Sequence, residues 1–311
     1  MPETDVNDSQ ENILPINGKT ETLCIYGHPV AHSKSPLMHN ALFKALGINA
    51  AYLPYAPEAE NFSGAILGFR SMKFRGANVT IPYKTVVLNL VDELSDISKF
   101  TGSVNTLYWK NGIVGETLCG TTTDPYGCVM NLEEHGVSAK EKKVALLGNG
   151  GAAKAIAYTL VERKNKLTIV CRTKEKGLAL ADGLNAHFIE KISDTETFEP
   201  VEVATFSEFE AISKNFDIII NATSVGMSPN IDESPLTKEC LHPEQVVCDI
   251  VYTPPQTKLL QMAEQVGCKT VTGEGMLVHQ GLESFKKWFP KESDEKTTEY
   301  LVNIMRKGLQ G

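Results

Sequence analysis

Residues 142–173 read KKVALLGNGGAAKAIAYTLVERKNKLTIVCRT, and this stretch decides the fold. An apolar run at 144–147 has the length of a buried parallel strand, and a helical pattern follows the glycines. Gly148, Gly150 and Ala153 have the spacing of a strand-to-helix turn that binds a dinucleotide. The glycines permit a tight turn and a close approach to a pyrophosphate, and the alanine permits close helix packing. The stretch therefore predicts a dinucleotide site at the helix N-terminus, where unpaired amides face the anion.

Basic residues follow the second strand of this unit, which is predicted at 167–171. They are Arg172, Lys174 and Lys176, and the hydroxyl of Thr173 lies among them in the sequence. An NAD-binding unit carries an acidic residue at this strand end for the ribose hydroxyls, and none is present here. A guanidinium beside a hydroxyl and ammonium groups suits a 2′-phosphate, so NADP is favoured over NAD. The alternative is that these residues are solvated surface charges.

Composition limits the function classes. At 311 residues and 42% hydrophobic, the chain is long enough for about two domains. A net charge of -8 argues against a nucleic-acid partner but leaves room for a local basic pocket. The 7 cysteines show no CxxC or paired Cys/His spacing, and the 7 histidines form no metal pattern. We therefore expect no disulfide framework and no metal, and a reducing compartment.

The N-terminal 20 residues are acidic and polar, without the basic start and apolar core of a signal peptide. They are predicted to be a disordered leader. No apolar run in the chain approaches the ~18 residues needed to span a bilayer. These features predict a cytoplasmic protein with no membrane partner, and they leave a monomer or a homodimer open.

Strand and helix patterns alternate in the first 123 residues. Strands are predicted at 23–26, 51–55 and 76–80, and helices at 37–46, 58–68 and 83–94. Such alternation predicts a mainly parallel sheet. Asn111 and Gly112 then mark a hairpin between strands at 101–109 and 113–118.

The second half of the chain continues the α/β pattern. Further strands are predicted at 218–221, 246–251 and 270–272, and helices at 275–288 and 297–307. Periodicity alone does not decide against which domain the C-terminal helices pack.

Three polar positions in the first half are candidates for chemistry. Ser33 and Ser35 offer two hydroxyls to an anion, although Ser35 before Pro36 also suits a helix cap. Lys84 falls in the first turn of the predicted helix at 83–94, where the helix dipole favours the neutral amine and makes it a candidate proton-transfer group. Asp124 before a proline is a plausible helix N-cap, which would keep its carboxylate ionised and oriented.

Several motifs follow the order and spacing of one family. They are GHPVAHSKSPLMHN at 27–40, GANVTIPYK at 76–84, GSVNT at 102–106, the Thr123 and Asp124 pair, GNGGAA at 148–153, CRT at 171–173, NATSVGM at 221–227, DIVYTP at 249–254 and GEGMLVHQ at 273–280. On these motifs the chain resembles the shikimate dehydrogenase family from about residue 24 to about residue 288. The resemblance implies an α/β fold of two domains, and a tail helix that returns to the first. The expected domains are a leader at 1–20, a substrate-binding and catalytic domain at 21–123, an NADP-binding Rossmann domain at 124–273 and C-terminal helices at 274–311.

The resemblance also implies roles for individual residues. Lys84 and Asp124 would form the catalytic pair. The substrate carboxylate would be held by Ser33, Ser35 and Tyr252, and the ring hydroxyls by Thr80, Lys84, Asn105, Asp124 and Gln280. The cofactor residues would be Gly148, Asn149, Gly150, Gly151, Ala152, Ala153, Arg172, Thr173, Lys176, Asn221, Thr223, Gly226, Met227 and Gly273.

One motif departs from the family. The family commonly has an Asp-Asn-Thr-Asp run followed by Gly, whereas this chain has Thr121, Thr122, Thr123, Asp124 and Pro125. The expected activity is the NADPH-dependent, reversible reduction of 3-dehydroshikimate to shikimate in aromatic amino acid biosynthesis. The departure leaves open a quinate/shikimate or an aminoshikimate dehydrogenase, and a non-catalytic ligand-binding paralogue is the third alternative.

Overall fold

A computed structural model describes residues 16–190 and 199–310. Most of the predicted leader, residues 1–15, lies outside the described residues. The described part of the leader is anchored, because the Thr20 hydroxyl donates to Asn49 Oδ1 at 2.7 Å. Across the described ranges, no helix combines the length and the apolar character needed to cross a membrane.

The first sheet has six strands and mixed directions. Its strands are β1 (Glu21–Tyr26), β2 (Ala50–Tyr55), β3 (Gly76–Val79), β4 (Glu93–Leu94), β5 (Thr106–Trp109) and β6 (Leu118–Thr121), in the order β2-β1-β3-β5-β6-β4. The first three strands are parallel, as predicted. Strand β5 runs antiparallel to both β3 and β6, so the expectation of a mainly parallel sheet fails at the hairpin.

The second sheet also has six strands, and every pair in it is parallel. Its strands are β7 (Lys143–Leu147), β8 (Lys166–Cys171), β9 (Glu202–Thr205), β10 (Ile218–Asn221), β11 (Val246–Asp249) and β12 (Lys269–Val271), in the order β12-β11-β10-β7-β8-β9. This is the doubly wound Rossmann order, whose crevice opens between β7 and β10 at the carboxyl ends of the strands. The short edge strand β9 was not predicted from the sequence, and among the described residues it pairs only with β8.

Helices cover both faces of each sheet. They are α1 (Ser35–Leu46), α2 (Phe62–Ser71), α3 (Asp96–Thr101), α4 (Asp124–Glu134), α5 (Gly151–Glu162), α6 (Lys174–Ile189), α7 (Phe206–Ile212), α8 (Lys258–Val266), α9 (Glu274–Trp288), α10 (Pro290–Asp294) and α11 (Thr298–Gln310). Helix α1 ends at Gly47 with a φ of 67°, the left-handed conformation that the predicted helix stop requires.

The C-terminal helices pack on the first sheet. Apolar residues of α9 and α11 share one buried cluster with those of α1 and β1. Trp288, the last residue of α9, donates its indole N–H to the Leu107 carbonyl at 2.9 Å. A Cβ on Gly76 would stand 2.2 Å from the Trp288 ring, so only glycine admits this contact. The return of the tail to the first half of the chain is therefore seen in the packing.

The amphipathic helix predicted at 83–94 does not form. A 3-10 turn spans Val86–Leu90, and β4 follows it. The Lys84 carbonyl accepts from Val104 N at 2.9 Å instead of from its own segment, and the Tyr83 ring stacks on Phe62 at 4.1 Å. Tertiary contacts thus override the helical periodicity.

The hairpin after β5 is longer than the sequence suggested. Asn111 and Gly112 do adopt positive φ values of 54° and 71°. The strands they join nevertheless begin and end elsewhere, since Trp109 pairs with Leu118 across an eight-residue connection at 110–117. The N-terminal end of the predicted strand at 101–109 instead belongs to α3, whose N-cap Ser95 accepts from Ser98 N.

Candidate active site

A cleft of about 760 Å³ opens between the two sheets. Its walls come from the loop after β1, the end of β3, the residue before β5, the starts of α4 and α5, the loop after β11 and the first half of α9. All eight residues predicted to bind the substrate line it, namely Ser33, Ser35, Thr80, Lys84, Asn105, Asp124, Tyr252 and Gln280. Ala152 and Gly273 of the predicted cofactor residues line the same cleft. The fold therefore brings both sets together at one place.

The centre of the cleft holds an ion pair. Lys84 Nζ lies 2.7 Å from Asp124 Oδ2, and the two side chains are 29% and 26% exposed. Asp124 is the first residue of α4 and not its N-cap, which is Thr123, so the predicted capping role is wrong. No helix begins at Lys84 either, so the predicted effect of a helix dipole on this lysine is wrong. The two residues are oriented by each other.

Asn105 holds the second oxygen of this carboxylate. Its Nδ2 donates to Asp124 Oδ1 at 2.8 Å, and it lies 3.4 Å from Gln280 Oε1. Gln280 comes from α9, 175 positions away along the chain, and reaches the cleft because that helix returns to the first sheet. Both Asp124 oxygens are thus occupied, one by Lys84 and one by Asn105.

The serine loop closes one end of the cleft. Ser35 is buried and is the first residue of α1, whose N-cap is Lys34 without a side-chain cap bond. The cap predicted for Ser35 is therefore wrong, although Pro36 does stand in the first turn. Ser33 Oγ accepts from the Ser35 amide at 3.3 Å. Tyr252, which also lines the cleft, is 56% exposed.

The glycine turn after β7 has the geometry that its sequence predicted. Gly148 has a φ of 110°, and a Cβ there would stand 3.1 Å from the Ala222 carbonyl. Gly150 is the N-cap of α5, and a Cβ on Gly150 or Gly151 would meet no atom within 4 Å. Asn149 lies between Gly148 and Gly150, and Ala153 is fully buried on the inner face of α5. Open space over the N-terminal amides of α5 fits a bound pyrophosphate.

The basic residues after β8 are not equivalent. Lys174 is engaged, since its Nζ lies 2.5 Å from Glu208 Oε1 on α7. Arg172, Thr173 and Lys176 are exposed, and neither of these two cations has an ion-pair partner within residues 16–190 and 199–310. This pair of unengaged cations fits a 2′-phosphate.

The loop after β10 is built on Asn221. This buried side chain donates to Asp249 Oδ1 at 3.0 Å, and its Oδ1 accepts from the Thr223 hydroxyl at 2.7 Å. Burial raises the pKa of Asp249, against the hydrogen bonds that it accepts. Asn221 therefore holds the loop in place from its buried side. Gly226, with a φ of 89°, and Met227, 46% exposed, are the residues that the loop presents.

Two family models match the chain. Residues 25–107 match the shikimate dehydrogenase substrate binding domain, and residues 131–255 match the shikimate / quinate 5-dehydrogenase model. The shikimate dehydrogenase (NADP(+)) of Methanothermobacter thermautotrophicus is 40% identical over 278 residues, which cover 88% of this chain and 92% of that protein. The chain belongs to the shikimate dehydrogenase family.

Solved structures of the family agree with this fold. Shikimate 5-dehydrogenase from Listeria monocytogenes, in complex with shikimate and NAD, matches with a TM-score of 0.81 and 32% identity, over 93% of this chain and 98% of that chain. The Thermus thermophilus enzyme, in complex with NADP(H) and shikimate, matches with a TM-score of 0.77 and 29% identity, over 93% and 100%.

Asn78 is a polar residue of the cleft to which the sequence analysis assigned no role. Asn78 lines the cleft from β3, and its side chain is hydrogen bonded on both ends. The signal was available, because a polar residue between Ala77 and Val79 in a strand with all four residues buried needs partners for its amide. The pattern of apolar residues predicted only that Asn78 lies in a strand.

Proposed function

We propose that this chain catalyses the reversible, NADPH-dependent reduction of 3-dehydroshikimate to shikimate. The observation that carries the proposal is the Lys84–Asp124 pair, whose atoms lie 2.7 Å apart in a cleft shared with the serine loop and the glycine turn. An ammonium held beside an anion site and a dinucleotide turn suits the reduction of a ketone on an acidic ring.

Lys84 is the proton donor in this mechanism. NADPH, when bound, supplies the hydride that converts the substrate carbonyl into an alkoxide. The Lys84 ammonium stabilises this developing charge and then gives its proton to the oxygen. Because the lysine side chain is 29% exposed, solvent can return the proton to the amine through the cleft.

Asp124 and Asn105 hold the donor in place. Asp124 Oδ2 takes one Nζ hydrogen, which leaves the remaining hydrogens of Lys84 for the substrate. Asn105 prevents the carboxylate from rotating by donating to Oδ1 at 2.8 Å. This fixed arrangement keeps the ammonium near the reacting oxygen without reorganisation during the reaction.

Substrate orientation depends on the two ends of the cleft. Ser33, Ser35 and Tyr252 supply hydroxyls for the substrate carboxylate, and Thr80 and Gln280 supply polar groups for the ring hydroxyls. A carboxylate bound at one end keeps the carbonyl carbon toward Ala152 and Gly273, where the nicotinamide would lie.

The proposal also covers the cofactor residues. The turn at 148–153 would hold the pyrophosphate, and Arg172, Thr173 and Lys176 the 2′-phosphate. Thr223, Gly226 and Met227 would border the nicotinamide, with Asn221 supporting them. In this division residues 21–123 and 274–311 serve the substrate and residues 124–273 the cofactor.

The setting of the reaction follows from the same features. Every one of the 7 cysteines is buried and free, which suits the reducing cytoplasm. One chain supplies every residue named above, so a monomer or a homodimer would serve the reaction equally well.

A second candidate is a quinate or quinate/shikimate dehydrogenase. The family model that matches residues 131–255 names both substrates, and the Thr121, Thr122 and Pro125 departure lies beside Asp124. The paired hydroxyls of Ser33 and Ser35 favour shikimate, because threonine often takes the second position in family members that prefer quinate.

The experiment compares kcat/KM for shikimate and quinate, each with NADP+ and with NAD+, by nicotinamide absorbance. We expect shikimate with NADP+ to exceed each other combination by at least about tenfold. A higher kcat/KM for quinate would replace the first candidate by the second. Tight NADPH binding without turnover of any pair would identify a ligand-binding paralogue.

A further inference from the structure

A buried polar cluster lies behind the Lys84–Asp124 pair. Its members are Asn78, Asn105, Thr106, Thr123 and Ser284, and each is at most 5% exposed. The hydroxyl of Tyr52, which is 0% exposed, adjoins the cluster. Burying polar groups costs free energy unless they are hydrogen bonded to one another. The mechanism above uses only Asn105 of this set, which leaves the other members to be explained.

The backbone fixes the orientation of Asn105. Its Oδ1 lies 2.8 Å from the Thr123 amide, which can only donate, so Oδ1 faces Thr123 and Nδ2 faces Asp124. Thr106 Oγ1 lies 2.8 Å from the same Oδ1. Since Asn105 accepts there, the single hydroxyl proton of Thr106 points at Asn105.

Ser284 must then donate to Thr106. The two hydroxyl oxygens lie 2.8 Å apart, and the Thr106 proton is already engaged with Asn105. The proton between them therefore comes from Ser284, whose other acceptor, the Gln280 carbonyl, lies farther away at 3.1 Å. Ser284 Oγ in turn accepts from Asn78 Nδ2 at 2.9 Å, and Asn78 Oδ1 accepts from the Tyr52 hydroxyl at 2.7 Å.

The result is a row of hydrogen bonds that all point the same way. It runs from Tyr52 through Asn78, Ser284, Thr106 and Asn105 to Asp124. Hydrogen bonds aligned in this way polarise one another and strengthen the last donor. The row begins on β2, passes through β3, α9 and β5, and ends at the ion pair.

We infer that Ser284 is a positioning residue for the reaction, which acts through Thr106 and Asn105 on the orientation of the Asp124 carboxylate. The inference rests on the proposed function, because the orientation of Asp124 matters only if Lys84 delivers the proton. Without the Ser284 hydroxyl, the Thr106 oxygen loses its closest donor, and the hydrogen bond from Thr106 to Asn105 is no longer polarised. The Asn105 amide then holds Asp124 less firmly, and Lys84 is less well placed.

The test compares Ser284→Ala, Tyr52→Phe and the control Ser293→Ala. Ser293 is also buried, and its hydroxyl donates only to the Pro290 carbonyl within the described residues, at 2.8 Å. With shikimate and saturating NADP+, we expect Ser284→Ala to lower kcat about five- to tenfold and Tyr52→Phe about two- to threefold. KM should change less than about twofold in both, and Ser293→Ala should match the wild type.

A double-mutant cycle separates positioning from a general structural effect. In a Lys84→Ala background, Ser284→Ala should cost less than about twofold, because the residue that it positions is gone. A wild-type kcat for Ser284→Ala, or the same fractional loss in both backgrounds, would overturn the inference. If thermal melting shows Ser284→Ala to be unfolded at the assay temperature, Tyr52→Phe takes its place. Its kcat in the wild-type background and its fractional loss in the Lys84→Ala background then decide.

The wild-type assay keeps the two proposals apart. A wild type that turns over quinate but not shikimate rejects the proposed substrate, and the variants are then compared with quinate. If the wild type is active on shikimate and the variants keep a wild-type kcat or lose the same fraction in both backgrounds, only the role of Ser284 is rejected.

Discussion

Arg306 and Glu134 form a bidentate pair in which each guanidinium nitrogen lies 2.6 Å from one carboxylate oxygen. The pair joins α11 to α4, and buried His279 of α9 lies 2.9 Å from the same carboxylate. Burial opposes ionisation of Glu134, but the hydrogen bonds from Arg306 and His279 outweigh it and hold the pKa below 4.5. One carboxylate therefore ties together three helices.

This pair predicts a pH-dependent contribution to stability. A carboxyl whose pKa is lowered on folding stabilises the protein above pH 4.5 and loses that contribution as the pH falls through the folded pKa. Burial also lowers the pKa of His279 from 6.5, against the attraction of Glu134. On acidification, His279 therefore becomes protonated at a higher pH in the unfolded chain than in the folded protein. The His279 effect reduces the free energy of unfolding as the pH falls below about 6.5, and the Glu134 effect reduces it further as the pH falls below about 4.5.

Arg306→Met should lower the free energy of unfolding by about 1 kcal/mol at pH 7 in urea titrations, and the difference should shrink at pH 3. Lys110→Met is the matched control, because Lys110 pairs with Glu93 at 2.7 Å with both side chains 50% exposed. Its urea midpoint should stay close to that of the wild type, because solvent screens an exposed pair. Equal losses for the two variants would show that the bidentate geometry adds nothing.

Lys84→Met should lower kcat/KM for shikimate by about 10² to 10⁴-fold, because it removes the proton donor. NADPH affinity, measured by fluorescence titration, should change less than about twofold. Lys99→Met, at an exposed lysine of α3, is the control and should retain full activity. Unchanged turnover of Lys84→Met would remove this residue from the mechanism.

Arg172→Ala should weaken NADPH by about tenfold or more while changing NADH less than about twofold, since only NADPH carries the 2′-phosphate. Lys174→Ala should have a smaller effect on NADPH, because Lys174 is already paired with Glu208. Isothermal titration with both cofactors measures this difference. Equal losses for NADPH and NADH would mean that Arg172 is not a phosphate ligand.

Gly127→Ala should destabilise the protein by about 1–3 kcal/mol through overpacking. A Cβ there would stand 2.6 Å from the Met276 carbonyl and 2.9 Å from Gln280 N, both backbone atoms of α9. Gly64→Ala in α2 is the control, because its Cβ would meet no atom within 4 Å. That change should stabilise the helix by up to about 1 kcal/mol, and thermal melts of both variants decide whether contact with α9 is the cause.

The parts of the fold that were predictable are those that depend on neighbours in sequence. The glycine turn, the stop of α1 at Gly47 and most strands of the second sheet follow from local patterns. The helix expected at 83–94 fails because Arg70 holds Asp92 with bonds of 2.9 Å, and Asp92 in turn accepts from Leu118 N. No local pattern contains that contact.

The site shows the same division. Motifs placed Ser33, Lys84 and Asp124 in one cleft, which the structure shows. The polar cluster behind them was not predictable, because Ser284 is 206 positions from Asn78 and looks in sequence like an ordinary residue of an amphipathic helix. Its importance arises only when α9 packs on the first sheet.

The side-by-side packing of α4 and α9 also limits how the enzyme can move. The chain passes between its two halves twice, once at the start of α4 and once at the start of α9, and the glycine at 127 brings the two crossings into backbone contact. Two adjacent chain crossings resist a twist of one half of the molecule against the other. A hinge rotation about an axis through both crossings strains neither of them. Substrate entry and product release are therefore expected to follow a single rocking motion that widens the cleft at the face away from the two helices.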